Sequence, residues 1–409
     1  MANPLQHPKA HMPLFSAVEL AARDPILGLS EQFAADPSPH KVNLGVGMYY
    51  DENGRVPLLR CVAPAEQKMA ETPTARGYLP IDGMAEYDRA AQVLAFGPQS
   101  PPVKEQRIAT VQALGGTGAL KVAADFLKRL QPGAQAWISD PSWENHRALF
   151  TQAGFDVTTY PYYEPSSHGV RFDAMLAVLD GAPSGTIVVL HACCHNPTGC
   201  DLTGEQWDQV VASARTRGWI AVLDMAYQGF GQGLDDDAAA VRRFVDAGVD
   251  CLVATSFSKS FSLYGERVGS LSVVCASAQE AQRVLSQLKV LIRANYSNPP
   301  THGAKAIAAV LADPALRRQW EDELAQMRER IQRMRGLLVT KLREAGVRQD
   351  MSFIDRQRGM FSYSGLSVDQ MRRLRSEFSV YGVDSGRICV AALNERNIEH
   401  AARSIASVM

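Results

Sequence analysis

Val222-Leu-Asp-Met-Ala-Tyr227, Ala254-Thr-Ser-Phe-Ser-Lys259 and Tyr264-Gly-Glu-Arg267 fall within one stretch whose reading decides the fold. The first two segments begin as apolar, β-prone runs (Trp219 to Leu223; Cys251 to Ala254) and end in polar side chains. Buried parallel strands present functional groups at their carboxyl ends in this way. Lys259 is fenced by Ser256, Ser258 and Ser260, so it is poorly placed for a salt bridge and well placed to form a Schiff base with an aldehyde. Asp224 follows four apolar residues, where a carboxylate is costly unless paired. A cationic ring nitrogen would be such a partner; each pKa unit of mutual shift corresponds to about 1.4 kcal/mol. Ala226 shares a strand face with Asp224 and leaves room for a flat ring. The other reading of Asp224 is a helix cap or a core ion pair.

Outward from this stretch, apolar β-prone runs at 135–139, 155–159, 186–191, 219–224, 250–255 and 270–275 alternate with amphipathic stretches such as 203–217. The alternation predicts an α/β fold with a mainly parallel central sheet in a large domain, covered by helices on both faces. Pro314 to Ala345 carries Leu316, Trp320, Leu324, Met327, Ile331, Met334 and Leu338 at helical spacing. This predicts one long helix whose charge-rich opposite face is solvated. The tail from 346 and the segment before 57 read as short α+β patterns that pack together as a smaller domain, discontinuous in sequence. The expected division is a leader and arm at 1–23, the small domain at 24–56 and 326–409, and the large domain at 57–325. The opening twelve residues resemble a leader with Met12 as an alternative start, and order is not expected before it.

The 409 residues suffice for a large core. With 42 basic and 43 acidic residues the net charge is −1, so no global field recruits nucleic acid or an anionic membrane. No apolar run has membrane-spanning length, and the first twelve residues lack a signal peptide's apolar centre. The seven cysteines form no Cys-x-x-Cys pair and fit buried free thiols in a reducing cytoplasm. His191 and His195 flank Cys193-Cys194 and precede Asn196-Pro197, a strand end where a zinc site is not expected.

Gly115-Gly-Thr-Gly118 opens a helical pattern, and free amide hydrogens at a helix start suit an anion. A glycine-rich helix start is also a common structural device. Joined by Ser256 and the two-pronged guanidinium of Arg267, it makes a cup for one phosphate monoester. Asn196-Pro-Thr-Gly199 follows the strand pattern at 186–191; its amide can donate to a phenolate oxygen, although such a turn is often only structural. Trp143 can stack on an aromatic ring or simply fill the core. Arg293 and Arg387 stand in uncharged neighbourhoods that suit carboxylates, the alternative being ordinary surface arginines.

Taken together, Cys193-Cys-His-Asn-Pro-Thr-Gly199, Ser256-Phe-Ser-Lys259, Tyr264-Gly-Glu-Arg-Val-Gly269, Ser297-Asn-Pro-Pro300 and Ser385-Gly-Arg387 resemble the class I pyridoxal-phosphate-dependent aminotransferases of fold type I, in the aspartate and aromatic-amino-acid branch. The resemblance begins near Asp24 and runs to the C-terminus. It implies that Lys259 is the Schiff-base lysine and proton shuttle, that Asp224 pairs with the pyridine nitrogen, and that Tyr227 and Asn196 bond the ring's O3′. It implies Trp143 stacked on the ring and the phosphate of pyridoxal 5′-phosphate held by Gly116, Thr117, Ser256, Arg267 and the partner subunit's Tyr78. The substrate α-carboxylate would meet Arg387, Asn196 and the backbone of Gly47, and the distal carboxylate the partner subunit's Arg293. The family's symmetric homodimer is expected, with residues 12–25 as an arm across the partner.

Within the branch, Tyr49-Tyr50, Ser258 to Arg267 and Gln357-Arg-Gly-Met-Phe-Ser-Tyr363 look like the tyrosine and aromatic enzymes, where aspartate enzymes often carry a basic residue at the position of Tyr50. Val56 and Gly77 also depart from the aspartate branch, while Thr117 and Asn298 match it. Reversible transfer of an amino group from tyrosine, phenylalanine or aspartate to 2-oxoglutarate is therefore expected, with aspartate aminotransferase as the alternative. A pyridoxal-phosphate-sensing regulator would need a DNA-binding region, and a β-lyase or decarboxylase would release ammonia or carbon dioxide. Asp384 departs from the apolar or proline residue usual three places before Arg387; turned toward Arg387 it would compete with substrate.

Overall fold

The computed structural model describes residues 14–21, 26–75 and 77–409. Its centre is a seven-stranded sheet. In chain order the strands are β1 (Ile108–Leu114), β2 (Ala136–Asp140), β3 (Val157–Pro161), β4 (Ile187–His191), β5 (Ile220–Met225), β6 (Cys251–Ser256) and β7 (Val268–Val274). In space they run β1-β7-β6-β5-β4-β2-β3. Neighbours from β6 to β3 pair in parallel, whereas β7 is antiparallel to both β6 and β1. The sheet is mainly parallel, as expected, and six of its strands fall on runs read from the sequence to within two or three residues.

Strand β1 carries no such reading. Its core-facing set is interrupted by Thr110 and Gln112, both buried. Their polar groups are satisfied across the sheet: Thr110 Oγ1 lies 2.8 Å from Ser272 Oγ, and Gln112 Nε2 donates to the Pro300 carbonyl at 2.7 Å. Buried polar side chains are tolerated when paired in this way, and they blur the hydrophobic pattern.

Successive strand residues point to opposite faces of the sheet. Ala221, Leu223, Val253, Val188 and Leu190 join one apolar cluster, and Val222, Leu252, Ala254, Ile187 and Val189 join another. Helix Gly115–Leu130 covers the second face with Leu120, Ala123, Phe126 and Leu127. Helices Phe172–Asp180, Gly204–Arg217 and Ala239–Asp246 cover the first.

Reversal of β7 arranges the site. Gly269 stands opposite Ser256 and Val268 opposite Leu114. The loop 257–267 therefore leaves and re-enters the sheet at one edge, the edge where the parallel strands end and where helix Gly115–Leu130 begins. A single backbone bond, Gly115 N–H to the Arg267 carbonyl at 3.0 Å, closes that corner.

The long helix runs Pro314–Glu344, capped by Asp313, whose carboxylate accepts from the amides of Ala315 and Leu316. Its apolar stripe is the expected one, but its charged face is not wholly solvated: Glu323, Arg330 and Arg335 are buried. Glu323 accepts from the Arg60 and Cys61 amides at 2.8 and 3.0 Å and so caps helix Val62–Glu71. Arg330 meets Glu52 at 2.7 Å and the Leu393 carbonyl at 2.7 Å. Arg335 donates to the carbonyls of Ile354, Gly359 and Phe361. Burial of these charges is tolerated because each is paired with groups elsewhere in the chain, Arg330 keeping one guanidinium nitrogen, Nη1, without a partner among the described residues.

Both ends of the chain meet beyond this helix. Val42–Asn43 pairs in parallel with Val380–Tyr381, and Arg387–Cys389 pairs antiparallel with Phe361–Tyr363. The expected leader, Met12 and Asp24 lie outside the described residues. Of the expected arm, Leu14, Phe15, Val18 and Leu20 are described and are highly exposed. All seven cysteines are free thiols, six of them buried.

Trp320 joins the long helix to the loop beyond β6: its indole N–H donates to the Ser260 carbonyl at 2.7 Å and its ring stacks on Phe261 at 4.7 Å. Trp320→Ala should cost about 3–5 kcal/mol of stability by loss of buried area and of this bond. Equilibrium denaturant unfolding measures it; a loss below about 1 kcal/mol, the size of an ordinary surface change, would deny the anchor this role.

Candidate active site

A cavity of ≈ 220 Å³ opens at the carboxyl edge of the sheet. Strand β5 delivers Asp224, Ala226 and Tyr227 to it; β6 and its loop deliver Ser256, Ser258 and Lys259, and the start of β7 delivers Arg267. The first turn of helix Gly115–Leu130 adds Gly116 and Thr117, and the entry to helix Glu144–Gln152 adds Trp143. Asn196 comes from the loop after β4, while Gly47 and Arg387 come from the two chain ends.

Asp224 is buried, with one carboxylate oxygen 3.0 Å from His146 Nε2. His146 Nδ1 lies 2.9 Å from the Ser142 hydroxyl. The His146 ring is thus held between the Ser142 hydroxyl and the Asp224 carboxylate. Burial alone would raise the Asp224 pKa, but the His146 bond and the nearby Lys259 outweigh it and hold the carboxyl below its usual range. Its second oxygen is buried, faces the cavity and has no protein partner among the described residues. An ionised carboxylate left with an open acceptor calls for a donor, and a cationic ring N–H fits there.

Lys259 lines the same cavity, its Nζ 4.8 Å from the centre of the Tyr227 ring. Burial lowers its pKa to about 8, aided by Arg267 and opposed by Asp224. Burial also holds the Tyr227 phenol well above its ordinary value, so it remains a hydrogen-bond donor.

The anion cup is built by close approach. Gly115 sits at φ +68, and a Cβ there would stand 2.6 Å from an Arg267 nitrogen, so only glycine admits the guanidinium beside the helix start. Arg267 Nη1 reaches the Tyr264 carbonyl at 3.1 Å and the Ser258 hydroxyl at 3.4 Å.

Arg387 is buried opposite. It donates to Asn196 Oδ1 at 3.1 Å and to the Gly45 carbonyl at 2.8 Å, and its guanidinium lies 4.4 Å over the Phe361 ring. Its Nε has no protein partner among the described residues, and the nearest carboxylate, that of Glu144, is 3.9 Å away. A planar cation with spare donors facing a cavity suits a carboxylate. Asp384 does not compete for it: its carboxylate is held by Arg375 at 3.0 Å and Arg372 at 3.5 Å.

Tyr78 and Arg293 stand apart from this cavity. Tyr78 is 95% exposed, and Arg293 is exposed and bonded to Ser297. Their segments adjoin each other, since Asn298 donates to the Leu79 carbonyl at 3.0 Å. The cavity also gathers residues to which the sequence assigns no role: His146 through Asp224, and His191, Tyr264 and Phe361 directly. For His146 a signal exists, because it follows Trp143 by three residues at a helix start and so lies on the same helix face.

A parallel sheet offering a lysine, a half-satisfied acid and an anion cup at its carboxyl edge defines an enzyme built around a phosphorylated carbonyl cofactor. Residues 39–405 match the family model of aminotransferase class I and II, and the chain belongs to that family. It is 57% identical, over 97% of its length and 100% of the relative's, to an aspartate aminotransferase of Pseudomonas aeruginosa. It is 51% identical over the same shares to an aromatic-amino-acid aminotransferase of Escherichia coli. An aromatic-amino-acid aminotransferase of Burkholderia pseudomallei, whose crystal structure is covalently bound to pyridoxal phosphate, superposes with a TM-score of 0.95 at 60% identity, covering 97% of this chain and 100% of that one.

In the cofactor-free protein, acylation of Lys259 should rise with pH and level off above about 8, because burial favours the neutral amine. Peptide mapping of pH-dependent labelling checks this; labelling that still climbs toward pH 10.5, as for a solvated lysine, would contradict it.

Proposed function

We propose that the protein moves an amino group reversibly from an aromatic amino acid (tyrosine or phenylalanine, and also aspartate) to 2-oxoglutarate, with pyridoxal 5′-phosphate as cofactor, giving the aromatic 2-oxo acid and glutamate. The observation that carries this is the open, buried oxygen of Asp224 in the cavity that Lys259 and Arg387 share. Bound there, the cofactor supplies an aldehyde for the amino group and a ring that draws charge from the substrate Cα. Asp224 would hold the ring nitrogen, Tyr227 and Asn196 the ring hydroxyl, Trp143 one ring face, and Gly116, Thr117, Ser256 and Arg267 the phosphate. Arg387, with Asn196 and the Gly47 backbone, orients the substrate α-carboxylate. Lys259, neutral above about pH 8, takes the Cα proton as general base. Lys259→Ala should abolish turnover; retained activity would dismiss the assignment.

Aspartate and 2-oxoglutarate as the main pair is the second reading, favoured by the Pseudomonas aeruginosa relative. Steady-state kcat/KM for tyrosine, phenylalanine, aspartate and glutamate against 2-oxoglutarate separates the two.

We infer a cytoplasmic homodimer, in which the partner subunit's Tyr78 and the partner subunit's Arg293 complete each site. Exposure of Tyr78, Arg293 and the apolar residues 14–20 supports this, as does the absence of a cation for a distal carboxylate near Arg387 among the described cavity residues. The pairing of 42–43 with 380–381 supports a small domain of residues 24–56 and 326–409 beside a large one of 57–325. Dual specificity then requires Arg293 to leave when an aromatic ring enters, since an unpaired buried guanidinium is costly. Arg293→Leu should lower dicarboxylate kcat/KM by roughly 30-fold or more, the loss of a charge pair of about 2–5 kcal/mol. Phenylalanine turnover should change far less; equal losses would refute the movement.

A further inference from the structure

We propose that Tyr264 is a positioning residue, whose phenol locks the segment presenting the Gly47 backbone to the loop carrying Lys259 and Arg267. The inference rests on the reaction proposed above and adds a residue to it. Tyr264 opens the short 3-10 turn Tyr264–Glu266, between the lysine and the arginine in sequence, and its side chain lines the cavity. Its hydroxyl oxygen accepts the amide N–H of Tyr49 at 2.9 Å, across 215 residues of chain. Its own carbonyl accepts from Arg267 at 3.1 Å. One residue thus touches the anion cup through its backbone and the opposite wall through its side chain.

The wall it holds is the one that frames Arg387. The Gly45 carbonyl receives the Arg387 guanidinium at 2.8 Å, and the Leu44 carbonyl receives the Cys389 amide at 2.7 Å. Residues 44–49 therefore have three attachments to the strand of Arg387, the third from the Cys389 thiol to the Met48 carbonyl at 3.5 Å, and one to Tyr264. A second link from the cofactor loop, Ser262 Oγ to the Pro57 carbonyl at 2.6 Å, grips the chain further on, so the phenol is the loop's tie nearer to Gly47 in sequence.

The phenol is well suited to this. Burial keeps it protonated, so its oxygen accepts from Tyr49 while its hydrogen remains available. That hydrogen has no acceptor among the described residues, and the side chain borders the cavity, so it can point to a substrate carboxylate oxygen. The link fixes the distance between the carboxylate-binding wall and the lysine, which governs whether the Cα proton lies within reach.

Tyr264→Phe keeps the ring and the carbonyl bond to Arg267 and removes the hydroxyl's bond to Tyr49. In the pyridoxal-phosphate-loaded enzyme it should raise KM for both the amino donor and 2-oxoglutarate about tenfold, equivalent to about 1.4 kcal/mol, with kcat falling less. Amide exchange measured by mass spectrometry should quicken about tenfold in a peptide covering 44–50 and stay unchanged in one covering 220–225. Unchanged KM with unchanged exchange at 44–50 would overturn the role, as would a loss of bound cofactor absorbance, which would make Tyr264 a cofactor ligand instead. Wild-type enzyme that fails to transaminate would instead remove the underlying reaction, whatever the variant does.

Discussion

The site depends on one buried carboxylate. Asp224 is placed near the end of a strand buried from Ala221 onward, where ionisation is unfavourable, yet it is kept ionised by His146 and by the nearby Lys259. Among the described residues only one of its oxygens finds a partner. The fold thereby stores an unmet demand for a cationic donor in a cavity that fits a flat ring, and the surrounding elements follow from meeting it. The same burial makes Lys259 a weaker base, so both groups lie below their ordinary pKa, the acid because its neighbours outweigh burial and the amine because of burial itself.

Supply of the other groups is a matter of edges. Five of the strands run parallel from β6 to β3, and their carboxyl ends make one rim. The reversed β7 returns the chain to that rim instead of the far side, which brings Arg267 beside Ser256 and beside the first turn of helix Gly115–Leu130. Without the reversal, Arg267 and Lys259 would require separate crossover connections to reach this rim.

Much of this was legible from side-chain order alone. Asp224, Ser256 and Lys259 stand where apolar runs turn polar, and that transition marks a strand end whatever the tertiary structure. The helix 314–344 was equally plain from its spacing. Strand β1 was not, because Thr110 and Gln112 are buried polar groups whose partners, Ser272 and Pro300, lie far along the chain. Glu323, Arg330 and Arg335 misled for a related reason: a charge on an amphipathic helix looks solvated until backbone amides and carbonyls from distant segments are folded against it. Tyr78 and Arg293 mark a different boundary, since the role proposed for them across two subunits is not visible in the geometry of one.

The meeting of the two chain ends bears on how the protein is made. Val42 finds its strand partner only at Val380, and Arg60 and Cys61 find their cap only at Glu323. On the ribosome, Val42, Arg60 and Cys61 must therefore wait without these partners until most of the polypeptide has emerged. Contacts so distant in sequence slow folding and leave apolar surface uncovered meanwhile. Newly synthesised chains would be most vulnerable to aggregation, and most in need of a chaperone, during that interval.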